Sequence, residues 1–332
     1  MEILIPIETW NEIDFSFWIK SQNWNENEIT KECCKVIEKL KLFPKAILKD
    51  KKIIERKILK EFLISEILTN VLIWKCKNGT ITNLLWYLDG PFKDIIYLNF
   101  RRESPFYIAC ENGHIEIVKL LLNDKRVDTN KAQNRGYTPF YIACENGHIE
   151  VVKLLLNDKR VDINKANKDG WTPFNIACER GNIEIVKLLL NNKRVDMNKA
   201  TNDRWTPFLI ACQNGHTKIV ELLLNDQRID ANKGNKNEAT PFYIACQNGD
   251  IGIVKLLLND ERVDINQTNI YGMDPLWISA SNGDLSIVEY LLNSGKKINL
   301  KSKWNVDTPY DQANHKTVIE QVKYQISPEK IK

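Results

Sequence analysis

Five cysteines of this 332-residue chain stand at a fixed interval: Cys110, Cys144, Cys178, Cys212 and Cys246, each 34 residues from the next. His114, His148 and His216 keep the same register. Thiols and imidazoles in rows are the material of disulfides, zinc sites and nucleophilic catalysis. The spacing argues against all three. Side chains one period apart occupy equivalent places on successive units, and packed helices lie about 8–10 Å apart. A disulfide requires Cα atoms within about 7 Å. The histidines are too far apart to share one ion, and Asn182, Asp250 and Asp284 replace them in other copies. The cysteines are therefore expected as small buried hydrophobes, and the histidines as hydrogen-bonding groups at a helix start. Cys33 and Cys34 are adjacent on an expected helix and point apart, which suits metal poorly. No Gly-rich phosphate loop, Gly-x-Ser-x-Gly elbow, His-Glu-x-x-His or Cys-x-x-Cys pair occurs. The expectation is a noncatalytic protein with no cofactor, no metal and no small-molecule substrate.

Two charged ladders share the period. Arg126, Arg160, Arg194, Arg228 and Arg262 each stand two residues before an aspartate: Asp128, Asp162, Asp196, Asp230 and Asp264. Opposite charges at a fixed offset are expected to pair within or between repeats, each exposed pair contributing only ~0–1 kcal/mol. Lys131, Lys165, Lys199 and Lys233 lack that compensation and read as a solvated edge, with steering of an acidic partner as the sharper alternative. No aromatic residues interleave with them, so nucleic acid is not favoured as a partner.

The elements that position these ladders follow from the same period. Seven prolines, at 105, 139, 173, 207, 241, 275 and 309, are each 34 residues apart. In the copy from Thr138, the threonine is an N-cap and Pro139 takes the first helical position, where its missing N–H costs nothing. A short helix runs to about Asn146, and Gly147 ends it. Glu150 lies in the first turn of a second helix, whose apolar face is Ile149, Val152, Leu155 and Leu156. The polar stretch from Lys159 to Gly170 reads as an extended loop or hairpin, with Val161 and Ile163 as its buried candidates. Such a unit is too small to bury its own core, so stacking on neighbours must complete it.

The run Thr138-Pro139-Phe140-Tyr141-Ile142-Ala143-Cys144, followed by Asn146-Gly147-His148-Ile149-Glu150-Val151-Val152-Lys153-Leu154-Leu155-Leu156, resembles the ankyrin repeat. The resemblance covers about residues 70–325, in about eight copies, five of them near-identical. It implies an all-α ankyrin-repeat solenoid, elongated and curved, with short β-hairpin loops. Two departures stand out. The family's histidine two residues after the proline is replaced by Tyr107, Tyr141, Asn175, Leu209, Tyr243 and Trp277. The unit also carries an extra residue in Asn-Asp-Lys-Arg-Val-Asp. The expected organisation is a helical N-terminal capping region over 1–68, a degenerate first repeat over 69–104, six repeats over 105–304 and a C-terminal capping repeat over 305–332.

The resemblance implies a binding surface in the concave groove, formed by hairpin tips and the exposed side of the first helices. The positions that vary there fall into three sets. Just before the Thr-Pro pair stand Tyr137, Trp171, Trp205, Ala239 and Met273; the tips carry Arg135, Lys168, Asp169, Asp203, Lys236 and Tyr271. The ends of the first helices carry Glu145, Arg180, Gln213 and Gln247. Tyr137, Trp171 and Trp205 form an aromatic row of the kind that anchors interfaces, unless they only shield the groove from water.

Composition sets the outer bounds. Lys and Arg number 47 against 43 Asp and Glu, a balance that argues neither for a nucleic-acid protein nor for a membrane-surface one. Residues 31–60 are the exception, with eleven bases against four acids, and residues 1–30 hold six acids against Lys20. Mutual docking of these two segments is the plain reading; a separate partner or anionic-lipid site is the sharper one. No secretory leader or 20-residue apolar run is seen, and the cysteine placement fits a reducing compartment, so the expected location is the cytoplasm, with the nucleus as an alternative. The expected function is protein–protein binding as an adaptor or scaffold. A regulatory or targeting subunit that acts on an enzyme or transcription factor is the alternative, and polyanion association through 31–60 a weaker one.

Overall fold

The computed structural model describes Cys76, Lys77, Gly79 and residues 104–299. The chain divides into two units, Met1–Arg101 and Arg102–Lys332. In the first, Cys76 is helical and buried, and Gly79 takes a positive φ of 67°. The expected cap over 1–68, the rest of the degenerate repeat and the capping repeat over 305–332 lie outside the described residues.

Among the described residues of the second unit, twelve helices alternate in two series. The first series is α1 (Pro105–Glu111), α3 (Pro139–Glu145), α5 (Pro173–Glu179), α7 (Pro207–Gln213), α9 (Pro241–Gln247) and α11 (Pro275–Asn282). The second is α2 (Ile115–Asn123), α4 (Ile149–Asn157), α6 (Ile183–Leu190), α8 (Thr217–Leu224), α10 (Ile251–Asn259) and α12 (Leu285–Asn293). Successive helices of each series pack on one another, and each helix packs on its partner within the repeat. Every first-series helix starts as the sequence requires. Pro opens it, and the side chain of Ser104, Thr138, Thr172, Thr206, Thr240 or Asp274 accepts a hydrogen bond from the backbone N–H three residues on. Where the family histidine is replaced by Asn175, the amide completes a reciprocal capping box with Thr172.

The core lies between the two series. Phe140, Ala143, Cys144, Val152 and Leu155 are fully buried in one copy, as are Phe242, Ala245, Cys246, Val254 and Leu257 in another. Six cysteines, Cys76 and the five of the ladder, are buried, and none of them forms a disulfide. Burial raises the thiol pKa of Cys144, Cys178 and Cys212 far above the ordinary range and that of Cys246 to about 12.

Several details depart from expectation. The hairpins contain no β-strand pairing among the described residues. Each is a tight turn closed by a backbone bond, such as Asn167 N–H to the Trp171 carbonyl at 2.9 Å, and tied to the preceding tip, as Lys168 N–H is to the Arg135 carbonyl at 3.1 Å. The tips are too short for a ladder to propagate. The arginines do not pair with the aspartate that follows them. Arg160 and Arg262 instead clasp Asp158 and Asp260, two residues earlier, at 2.6 and 2.7 Å. The same guanidinium groups reach back to the carbonyls of Leu122 and Leu224 at the end of the preceding repeat's second helix. Asp162 is already engaged, its carboxylate accepting from Asn164 N–H at 3.1 Å.

The lysine ladder is not simply a solvated edge, since Lys165 and Lys199 each donate to the carbonyl of Asn130 or Asn164 in the preceding repeat at 3.0 Å. The histidines make no cap bond at their own helix. His148 and His216 donate from Nε2 to the carbonyls of Glu111 and Glu179, one repeat earlier, at 2.8 Å.

Another row joins the repeats. The Asn164 amide donates to the Arg194 carbonyl at 2.6 Å while its oxygen accepts from Asp196 N–H at 2.9 Å. Asn130, Asn198, Asn232 and Asn266 make the same double bond to the repeat that follows each.

Iodoacetamide at pH 8 is expected to leave Cys110, Cys144, Cys178, Cys212 and Cys246 unmodified in the native protein and to label all five in guanidinium, as read by peptide mass mapping. Modification of any of them at a rate near that of an unfolded thiol contradicts the packing described. The arginine clasp makes a second prediction. Hydrogen bonds from Arg160 and Arg262 hold the Asp158 and Asp260 carboxyls below their ordinary value of 3.8. A carboxylate with a depressed folded-state pKa stabilises the fold above its unfolded value and loses that contribution as the pH falls through the folded one. The double variant Asp158→Asn, Asp260→Asn is therefore expected to melt a few degrees below wild type at pH 7, with the gap closing as the pH falls below the ordinary carboxyl value and through the depressed one.

Candidate functional site

The hairpin tips and the ends of the first-series helices are where the sequence is free to vary, because the positions between them are committed to stacking. Trp171 and Trp205 stand at the base of successive tips, one residue before the N-caps Thr172 and Thr206. Trp171 is held by its N–H to the side-chain oxygen of buried Asn167 at 2.8 Å, and Trp205 by its N–H to buried Thr201 Oγ1 at 3.1 Å. Both indoles are half-buried. Together they line one cleft of about 470 Å³, with Asp169 and Asp203 at its tip end, Glu179 and Gln213 at its helix end and Ile210 at its floor.

The cleft gathers only part of the expected site. Tyr137 is half-buried, but its ring stacks on Tyr141 at 4.8 Å with the planes 2° apart, so it is spent within its own repeat. Burial, and the Glu145 carboxylate after it, push the Tyr141 phenol well above its ordinary pKa. Ala239 is buried and Met273 half-buried, so the aromatic row ends at Trp205. Glu145 and Arg180 pair with each other across repeats at 2.6 Å. Lys236 reaches Asp203 at 3.0 Å. The Gln213 amide lies 3.5 Å from Asn248 Oδ1. Arg135, Lys168 and Gln247 are exposed and line no part of the cleft. Tyr271 is 54% exposed beside Ile270 at 51%, on a later tip.

Sequence reasoning missed Glu179. It named Arg180 for that repeat, yet Glu145, Gln213 and Gln247 are 34 residues or a multiple of 34 from position 179. The period alone points to Glu179, while Arg180, the C-cap of α5, turns back to Glu145. The buried polar residues that hold the tips, Asn167, Thr201, Asn235 and Asn269, were also missed. Their signal is the same 34-residue recurrence of hydrogen-bonding side chains.

One strain feature marks this region. Three tips carry glycine at a positive φ: Gly136 at 88°, Gly170 at 82° and Gly272 at 77°. At the equivalent place the other two carry Arg204 at 64° and Glu238 at 58°. A side chain in that conformation collides with its own carbonyl, which glycine avoids. Among the described residues no group of three or more His, Cys, Asp or Glu side chains is arranged to hold a metal ion. No helix of the described residues is long and apolar enough to cross a membrane.

The comparisons with known proteins agree with this geometry. A family model described as ankyrin repeats, in three copies, matches residues 72–167, 159–235 and 227–302. No curated protein matches the chain.

Relieving the strained tips is expected to stabilise the fold. Arg204→Gly and Glu238→Gly should each raise the urea-unfolding free energy by ~0.5–1 kcal/mol, the release of left-handed strain exceeding the added unfolded-chain entropy. A loss of stability in both variants would show that these side chains make contacts worth more than their strain.

Proposed function

The chain belongs to the ankyrin-repeat family, and on that premise we propose that it is a noncatalytic adaptor or scaffold that holds a protein partner against its hairpin tips and first-series helices. Ankyrin repeats are generally protein–protein interaction modules. The observation that carries the reading for this chain is the cleft walled by Trp171 and Trp205. Large aromatics that combine partial burial with open access supply much of the binding energy at protein interfaces. Stacked repeats hold those rings in place before the partner arrives, so little ordering entropy is lost on association. Buried thiols outside any disulfide fit a reducing compartment, and the cytoplasm is the proposed location.

The test is the double variant Trp171→Ala, Trp205→Ala. Both rings stand outside the fully buried core, so far-UV circular dichroism and the melting temperature should stay close to wild type. Co-purification followed by mass spectrometry should then lose, by tenfold or more, the partners that wild type retains. An unchanged partner set from the folded double variant sinks the proposal.

A further inference from the structure

The cleft carries a chemical preference as well as a shape. Its walls are two indoles, and its rim holds three carboxylates, Asp169, Asp203 and Glu179, with no Lys or Arg among the lining residues. Asp203 alone of the three is paired, to Lys236, and both side chains of that pair are more than 60% exposed. Such a bridge is weak and open to exchange. Among the described residues, Asp169 and Glu179 make no ion pair. Glu179 is also the last residue of α5, where the helix dipole adds negative potential. A planar cation satisfies every part of this arrangement. It can stack on an indole face while its N–H groups donate to the carboxylates.

Resting on the protein-binding reading above, we propose that the cleft between Trp171 and Trp205 is the docking site for an arginine side chain of an extended partner segment. The guanidinium lies against the indoles and donates to the carboxylates of the two adjoining tips, Asp169 and Asp203, displacing Lys236 from Asp203, while Glu179 at the helix end adds negative potential. Arginine is preferred over lysine because its flat group matches both the ring faces and the carboxylate geometry. The exposed Ile270–Tyr271 tip sets a second contact along the same row of tips. It lies between two and three repeats beyond the cleft, ~20–25 Å at the spacing of packed helices. An extended chain covers that span in about six to eight residues. The segment therefore carries an apolar side chain about that far from its arginine.

The experiment selects a displayed library of random 12-residue peptides on the full chain, then measures the synthesised winners by fluorescence anisotropy. The expected consensus holds one arginine with an apolar residue six to eight positions away. Replacing that arginine by glutamine should weaken binding about tenfold. So should Asp169→Asn combined with Asp203→Asn, and the two changes should not add. Lys236→Gln, which frees Asp203, should tighten binding two- to threefold. Peptides that need Trp171 and Trp205 but share no arginine, or a lysine in its place, overturn this proposal while leaving the groove reading intact. Arginine peptides indifferent to the acidic pair also overturn it. If no selected peptide depends on the two tryptophans, both readings fall.

Discussion

A helix of seven residues cannot satisfy its own backbone. The last four carbonyls of any α-helix lack an intrahelical acceptor-to-donor match, and in α1, α3, α5, α7 and α9 that is most of the helix. This chain eases the problem by covering carbonyls at the ends of α1 to α9 from the next repeat. At the ends of the first-series helices, Asn146 and His148 cover the Glu111 carbonyl, Asn182 covers Cys144, His216 covers Glu179, and Asn248 covers Gln213. At the ends of the second series, Arg160, Arg194, Arg228 and Arg262 cover the carbonyls of Leu122, Leu156, Leu190 and Leu224. Polar satisfaction, as much as apolar burial, therefore makes the repeats depend on one another.

That dependence divides the residues into two kinds. Positions that cap, stack or fill the core recur with little change, because a different side chain would leave a carbonyl exposed or a void behind. Positions at the tips and helix ends are released from both duties. The Trp171–Trp205 cleft sits in this released zone, yet its walls are fixed from below by Asn167, Thr201 and the capped starts of α5 and α7. A rigid frame thus presents a surface whose chemistry is free to differ from one repeat to the next. The replacement of glycine by Arg204 and Glu238 at left-handed tips falls in the same zone, where local rules are broken at a cost carried by the rest of the stack.

Much of the fold was legible because the relevant physics is local. Pro139 after Thr138 states a helix start, Gly147 states its end, and Val152 and Leu155 state one apolar face, which the structure completes with Val151 while Ile149 and Leu156 stay half-buried. The burial of the cysteine ladder followed from the period and a distance limit. The hydrogen-bonding partners did not follow, because they lie 30 to 38 residues away. Arg160 was matched to Asp162 on sequence offset, but the turn puts Asp158 beside the guanidinium and Leu122 within its reach. Lys165 looked free for want of an acid nearby, and its partner is a carbonyl, which no sequence displays.

The candidate site divides in the same way. The one-dimensional order of residues determined the repeat, its two helices, their caps and the set of positions left free to vary, since each depends on dihedral preference, period or side-chain size. Tertiary stacking alone decided which of those free positions meet. It turned Arg180 toward Glu145 and brought Trp171, Trp205 and Glu179 around one cleft. Contact across repeats depends on the direction in which each side chain leaves its turn, and that direction is fixed only when the neighbouring repeat is in place.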